Sequence, residues 1–246
     1  MPLELLTRPD QHGAPVRTRP SARPAVQAPD PSERGGCARL PARWVLEGGL
    51  RAFRGDAAHL GRSIAALKLL LTLAIRLDHG EAGAASVVLS YEQLSGLSGL
   101  SEPSICAGKK VLVEHGLVRT SCDWQGQTLA YGLTGLPTPD GVVPLRYRRT
   151  GGRDARMLSL HRIPCRKLGN LNALKIYLLL TALGSHEHGF VPLHVESAAT
   201  LTAVSPVKVV EALDHLTALG LATPADVHLM DRRQAEYLLV RLQPLW

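Results

Sequence analysis

Two stretches of the chain are apolar at almost every position. Ile64 to Leu77 is interrupted only by Lys68, Thr72 and Arg76, and Leu171 to Leu183 surrounds Lys175 in the same way. Runs of this length without a polar face predict helices buried on all sides, not amphipathic surface helices. Aligned on each other, Ser63-Ile64-Ala65-Ala66-Leu67-Lys68-Leu69-Leu70-Leu71 matches Asn170-Leu171-Asn172-Ala173-Leu174-Lys175-Ile176-Tyr177-Leu178, with the shared Ala-Leu-Lys 107 residues apart. Ser63 and Asn170 are good N-caps. Gly80 and Gly184 stand where a left-handed residue would close each helix.

The likeness continues downstream. Short β-prone runs follow, Ser86 to Ser90 and Phe190 to Val195, and then short leucine-spaced helices, Tyr91 to Leu100 and Glu196 to Val204. Ser101 to Gly116 and Ser205 to Gly220 have equal length, and each opens with Ser and an early Pro and closes in Gly-Leu. A hairpin is expected next. In the first copy it runs from Leu117 to Ser121, turns at Asp123 to Gly126 and returns as Gln127 to Leu133; in the second it runs from about Val227 to Met230, turns at Asp231 to Gln234 and returns to Leu242. Helix, strand, helix, turn, helix, hairpin is the order of a winged helix. The expected fold class is therefore α+β and mostly helical, with two tandem winged-helix domains after a disordered N-terminal tail.

Composition adds the boundaries. The chain has 246 residues, a formal net charge of +7 and a pI near 9.5. Residues 1–39 hold seven of the 17 prolines and little periodic apolar character, which predicts a disordered Pro/Arg-rich tail. The first domain, with a lead-in that packs Trp44 and Phe53, is expected at 40–143, a basic connector at 144–168 and the second domain at 169–246. Divided at 62, 143 and 168, the charge is +4, −2, +7 and −2, so the positive excess lies on the tail and connector and the two patterned segments are slightly acidic. No apolar run reaches the roughly 18 uncharged residues of a membrane span, and the N-terminus lacks the apolar core of a secretory signal. A cytoplasmic protein without membrane contact is expected. Cys37, Cys106, Cys122 and Cys165 are scattered, without zinc-finger spacing, and read as isolated reduced thiols.

A winged helix reads the major groove with its third helix. In the first copy Ile105, Gly108 and Leu112 should point inward, leaving Pro103, Ala107 and Lys110 outward with Ser104 and Lys109 beside them. That face is small and basic: Ala107 permits close approach, Ser104 can donate to phosphate, and Lys109 and Lys110 neutralise backbone charge or reach guanine. The first wing adds Arg119, Trp124, Gln125 and Gln127. In the second copy Val207, Glu211 and Asp214 take the outward positions, flanked by Lys208 and Val210, and the carboxylates repel phosphate. Arg232 and Arg233 in the second wing are the remaining basic candidates. The connector contributes Arg146, Arg148, Arg149 and Arg153, either as a flexible linker or as a clamp along the phosphate backbone. The expected division of labour makes the first copy the better DNA reader and leaves the second to DNA contact through its wing or to protein pairing.

Enzymatic signatures are missing. The chain contains no GxxxxGK[ST], GxGxxG after a strand, HExxH or GxSxG, and no catalytic residue, metal site or cofactor is expected. His186-Glu187-His188 reads as a polar loop.

On Ser63 to Leu77 with Asn170 to Leu183, and on the two Ser/Pro to Gly-Leu helices, the chain resembles plasmid and mobile-element replication initiators of the Rep type. The resemblance covers about residues 40–242 and rests on architecture. It implies a bacterial DNA replication initiator or transcriptional autoregulator, with Ser101 to Gly116 and Ser205 to Gly220 at the recognition-helix positions and a homodimer or host replication partner on the second domain. The poorly basic second helix departs from a pattern in which both domains grip DNA. The other readings are a transcriptional regulator unrelated to replication, a winged-helix interaction scaffold of a DNA-segregation complex, and a nuclease or relaxase whose chemistry no motif reveals.

Overall fold

The computed structural model describes residues 35–78, 86–122, 129–136, 141–148, 157–184, 190–224 and 237–245. It is α+β, with helices predominating over small antiparallel sheets. Its centre is a pair of helices, α2 (Leu60–Asp78) and α6 (Leu168–Leu183), which follow the short helices α1 (Arg43–Leu46) and α5 (Leu158–His161) respectively. From Ser63 to Ile75 and from Asn170 to Ala182 every residue of the two helices is buried, and α2 packs directly on α6. One contiguous apolar core runs through both halves.

Around each central helix the same parts recur in the same order. After α2 come β2 (Val87–Leu89), α3 (Tyr91–Ser98), α4 (Glu102–Glu114), β3 (Val118–Cys122) and β4 (Leu129–Leu133); after α6 come β6 (Phe190–His194), α7 (Val195–Thr202), α8 (Pro206–Ala218), β7 (Ala222–Pro224) and β8 (Tyr237–Leu242). Both sheets are antiparallel with the last strand in the middle, β2-β4-β3 and β6-β8-β7. Helix α4 lies on α2 and α8 on α6. At the first crossing Gly108 faces the backbone of Ala65 and Ala66, where a Cβ would come within 2.8 Å of the Ala65 carbonyl carbon. Local signals set the helix ends. Ser90 and Gln93 form a reciprocal capping box on α3, and the His194 ring accepts from the Ser197 amide at the start of α7.

Several expectations need correction. Ser63 and Asn170 are not N-caps; each lies inside its helix, and their side chains donate backwards to the carbonyls of Arg54 (2.9 Å) and Pro164 (2.6 Å), fastening each helix to the segment before it. Gly184 ends α6 in an extended conformation, while Gly80 lies outside the described residues. In the second copy Ala222, 104 residues after Val118, pairs with Leu242 as Val118 pairs with Leu133, while the strand expected at Val227 to Met230 and the turn at Asp231 to Gln234 lie outside the described residues. The boundary at residue 39 cuts through a strand, β1 (Gly35–Pro41), which pairs antiparallel with β5 (Val142–Arg148). Apolar and polar residues alternate there, with Ala38, Leu40, Leu145 and Tyr147 buried and Cys37, Arg39, Arg146 and Arg148 exposed. A ribbon so patterned must cover a core, and it lies on α2.

The connector is correspondingly no loose link where it is described. Leu160 and Ile163 are fully buried. His161 Nε2 lies 3.0 Å and 3.2 Å from the carbonyls of Gly96 and Leu97, so that nitrogen carries the proton and donates to the end of α3. The Lys68 ammonium donates to the Ile163 carbonyl at 3.0 Å.

The repeated lysines are thus interior cations, Lys68 1% and Lys175 4% exposed. Lys175 donates to the Thr202 carbonyl at 2.8 Å, at the negative end of α7. Burial lowers both ammonium pKa values, that of Lys175 from 10.5 to about 8. Immediately after Thr202, Ala203 is left-handed at φ 52°, where the first copy has Gly99 at φ 68°. The alanine Cβ is strained in that conformation and glycine is not.

Two outcomes follow for stability. Ala203→Gly removes the strain and should stabilise the fold by about 0.5–1 kcal/mol despite the added entropy of the unfolded chain, measured by urea denaturation. Above pH 8 folded Lys175 loses its proton while the unfolded lysine keeps it. At this site protons are then bound more by the unfolded state, and Lys175 should contribute about 1 kcal/mol more stability at pH 9 than at pH 7, partly offset by the Cys37 and Cys165 thiols. Lys175→Met should remove this increment, leaving the contribution of Lys68 and the opposing one of the Cys37 and Cys165 thiols, without loss of stability at pH 7.

Candidate functional site

The two copies differ most where their third helices meet solvent. Residue for residue, at the constant offset of 104, Pro103 corresponds to Val207, Ser104 to Lys208, Cys106 to Val210, Ala107 to Glu211 and Lys110 to Asp214. The expected inward residues Ile105, Gly108 and Leu112 are buried on α4, together with Val111, and Val209, Ala212, Leu213 and Leu216 are buried on α8.

On α4 the exposed face is small in the middle, at Cys106 and Ala107, and its charges balance, Glu102 and Glu114 against Lys109 and Lys110. Ala107 is half-buried and Cys106 exposed. Ser104 is half-buried, its hydroxyl 3.0 Å from that of Ser101 at the helix start. Lys109 is half-buried as well, donating to the Tyr91 hydroxyl at 2.8 Å with its ammonium 5.3 Å from the centre of that ring. It therefore fixes α4 to the start of α3 and holds its charge at the junction. Lys110 projects outward, 4.0 Å from Glu114 one turn on, a separation at which an exposed pair binds weakly. Arg119 is exposed on β3, opposite Gly132.

On α8 the basic residue is already engaged. Lys208 Nζ lies 2.6 Å and 2.8 Å from the two carboxylate oxygens of Glu211. Asp214 adds a further negative charge, and Val207 and Val210 are exposed by 68% and 44%. Beside them Val210, Leu213, Asp214, Ala222, Leu238 and Val240 line a groove of about 180 Å³ between helix and sheet.

Of the other candidates, Arg146 and Arg148 stand exposed on β5. Trp124, Gln125, Gln127, Arg149, Arg153, Arg232 and Arg233 lie outside the described residues, as do the histidines of His186-Glu187-His188. Sequence reasoning overlooked Arg39. It joins the face of Arg146 and Arg148 across the ribbon, and the alternation of Cys37-Ala38-Arg39-Leu40 was the signal for it. Cys37, Cys106 and Cys165 are free thiols, and burial raises the pKa of Cys37 and Cys165. No cluster of His, Cys, Asp or Glu suited to a metal occurs among the described residues, and no helix among them is long and apolar enough to cross a membrane.

Compared with family models, curated proteins and solved structures, the chain matches none.

Proposed function

We propose that the chain is a sequence-specific double-stranded DNA-binding protein built from two winged-helix units, in which the first unit reads DNA through α4. The observation that carries this reading is the duplicated order of helices and strands, with identical sheet order, around a third helix whose exposed face in the first unit is small and presents Lys110 to solvent. Ala107 offers little obstruction to a groove wall, Lys110 supplies a charge that no strong ion pair consumes, and Arg119 on the adjoining strand supplies another. The likeness to Rep-type initiators extends the proposal to replication initiation or autoregulation in a plasmid or mobile element.

The second unit has a different role in this reading. With Lys208 held by Glu211, Asp214 exposed and two valines facing solvent, α8 would meet phosphate with net negative charge. Those features favour a protein surface, belonging to a second copy of the chain or a host replication or segregation protein.

The test is duplex affinity, for the DNA upstream of the coding sequence and for random DNA of equal length. The upstream duplex should bind at least about a thousandfold more tightly. Lys110→Glu should weaken that binding about tenfold or more, and Lys208→Glu should change it by less than about twofold. Equal affinity for both duplexes would overturn sequence-specific recognition, and a larger loss with Lys208→Glu would overturn the division between the units.

A further inference from the structure

We propose that the β1–β5 ribbon, which belongs to neither repeated unit, is a second DNA contact: a rigid arginine face that grips the phosphate backbone. This rests on the DNA-binding reading of the chain and adds to it a site with its own residues. In the register of the ribbon, Gly35 lies opposite Arg148, Cys37 opposite Arg146 and Arg39 opposite Pro144. Residues opposite each other share a face, so Arg39, Arg146 and Arg148 all point to solvent from one side. Alternate residues on one strand and diagonal residues on neighbouring strands are about 7 Å apart, a spacing of the same order as that of successive phosphates along one nucleic-acid strand.

The ribbon is held firmly at the end that carries Arg146 and Arg148. Leu245 joins β5 from the C-terminus, its amide donating to the Arg146 carbonyl at 3.0 Å and its carbonyl accepting from the Arg148 amide at 2.6 Å. On the inner face the Tyr147 ring lies across Gly36, where any Cβ would fall 2.0 Å from a ring atom, and its hydroxyl donates to Asp78 at 2.8 Å. The N-terminal strand, the middle of the chain, the end of α2 and the C-terminus are clasped together there. Arginines on such a backbone give up less conformational freedom on binding than arginines on a loose linker.

The charge balance favours an anion. Asp78 lies close enough to help raise the pKa of Cys37, and Arg146 opposes that effect, so one acid and one arginine share the end of the ribbon. Arg39 and Arg148 make no ion pair among the described residues. Their guanidinium groups present forked donors suited to phosphate oxygens.

The test compares three full-length proteins on a random-sequence duplex, by fluorescence anisotropy at several salt concentrations between roughly 50 and 200 mM. The double substitution R39Q/R148Q should make the dependence of log affinity on log salt shallower by about 1.8, two phosphates at about 0.9 each. The control R43Q/R51Q removes the same net charge from exposed arginines of the lead-in and should leave the slope unchanged. Both variants should keep the wild-type melting temperature and far-UV circular dichroism, since all four side chains are exposed. An unchanged slope in R39Q/R148Q, or an equal reduction in the control, would overturn the ribbon contact while the α4 reading stands. Failure of the wild-type chain to bind any duplex would overturn both.

Discussion

The packing of α2 against α6 is the constraint on which the remaining elements depend. Each helix is apolar on every side, so each has to be surrounded completely before its burial repays the loss of chain entropy. Helix α4 and strand β1 cover α2, α8 and α7 cover α6, and the two central helices cover each other. The repeats consequently share one core and do not behave as independent domains on a tether. The segment between them is drawn into the same core through Leu160 and Ile163 and is fastened by Lys68 and His161.

The interior lysines show how a duplicated sequence can serve two local purposes. Both carry a desolvation cost, and each offsets part of it by donating to a backbone carbonyl. In the second copy the acceptor belongs to the last turn of α7, next to a strained Ala203; in the first the corresponding turn ends in Gly99 and the lysine reaches the connector instead. One position therefore closes a helix in one copy and joins the copies in the other.

The two third helices differ in charge at their exposed positions, while the buried pairs Ile105 with Val209 and Leu112 with Leu216 keep the same character. Exchanging Ala107 for Glu211 and Lys110 for Asp214 touches no fully buried position, so the fold tolerates it, but it makes the exposed face more negative. Whether a lysine is available to a partner then depends on its neighbours. Lys208 has a carboxylate one turn away at bonding distance, and Lys109 is turned toward Tyr91.

The sequence by itself determined the repeat, the buried character of the central helices, the positions of α3, α4, α7 and α8, the inward residues Ile105, Gly108 and Leu112 of α4 and the exposed positions Val207, Glu211 and Asp214 of α8. These follow from hydrophobic period and from caps such as Ser90 with Gln93, which act within one or two turns of chain. It also showed that the α8 face carries Glu211 and Asp214 where the α4 face has Ala107 and Lys110. Only the tertiary structure decided that Gly35 to Pro41 is a strand and not tail, that residues 142–148 belong to the same ribbon, and that Arg39 shares a face with Arg146 and Arg148. It likewise decided that Ser63 and Asn170 bond backwards and that Lys68 reaches Ile163. The physical reason is distance along the chain. A pairing between residues more than a hundred positions apart leaves no periodic trace in either segment, and the direction in which a buried polar group bonds is set by whichever carbonyl the surrounding packing leaves within its reach.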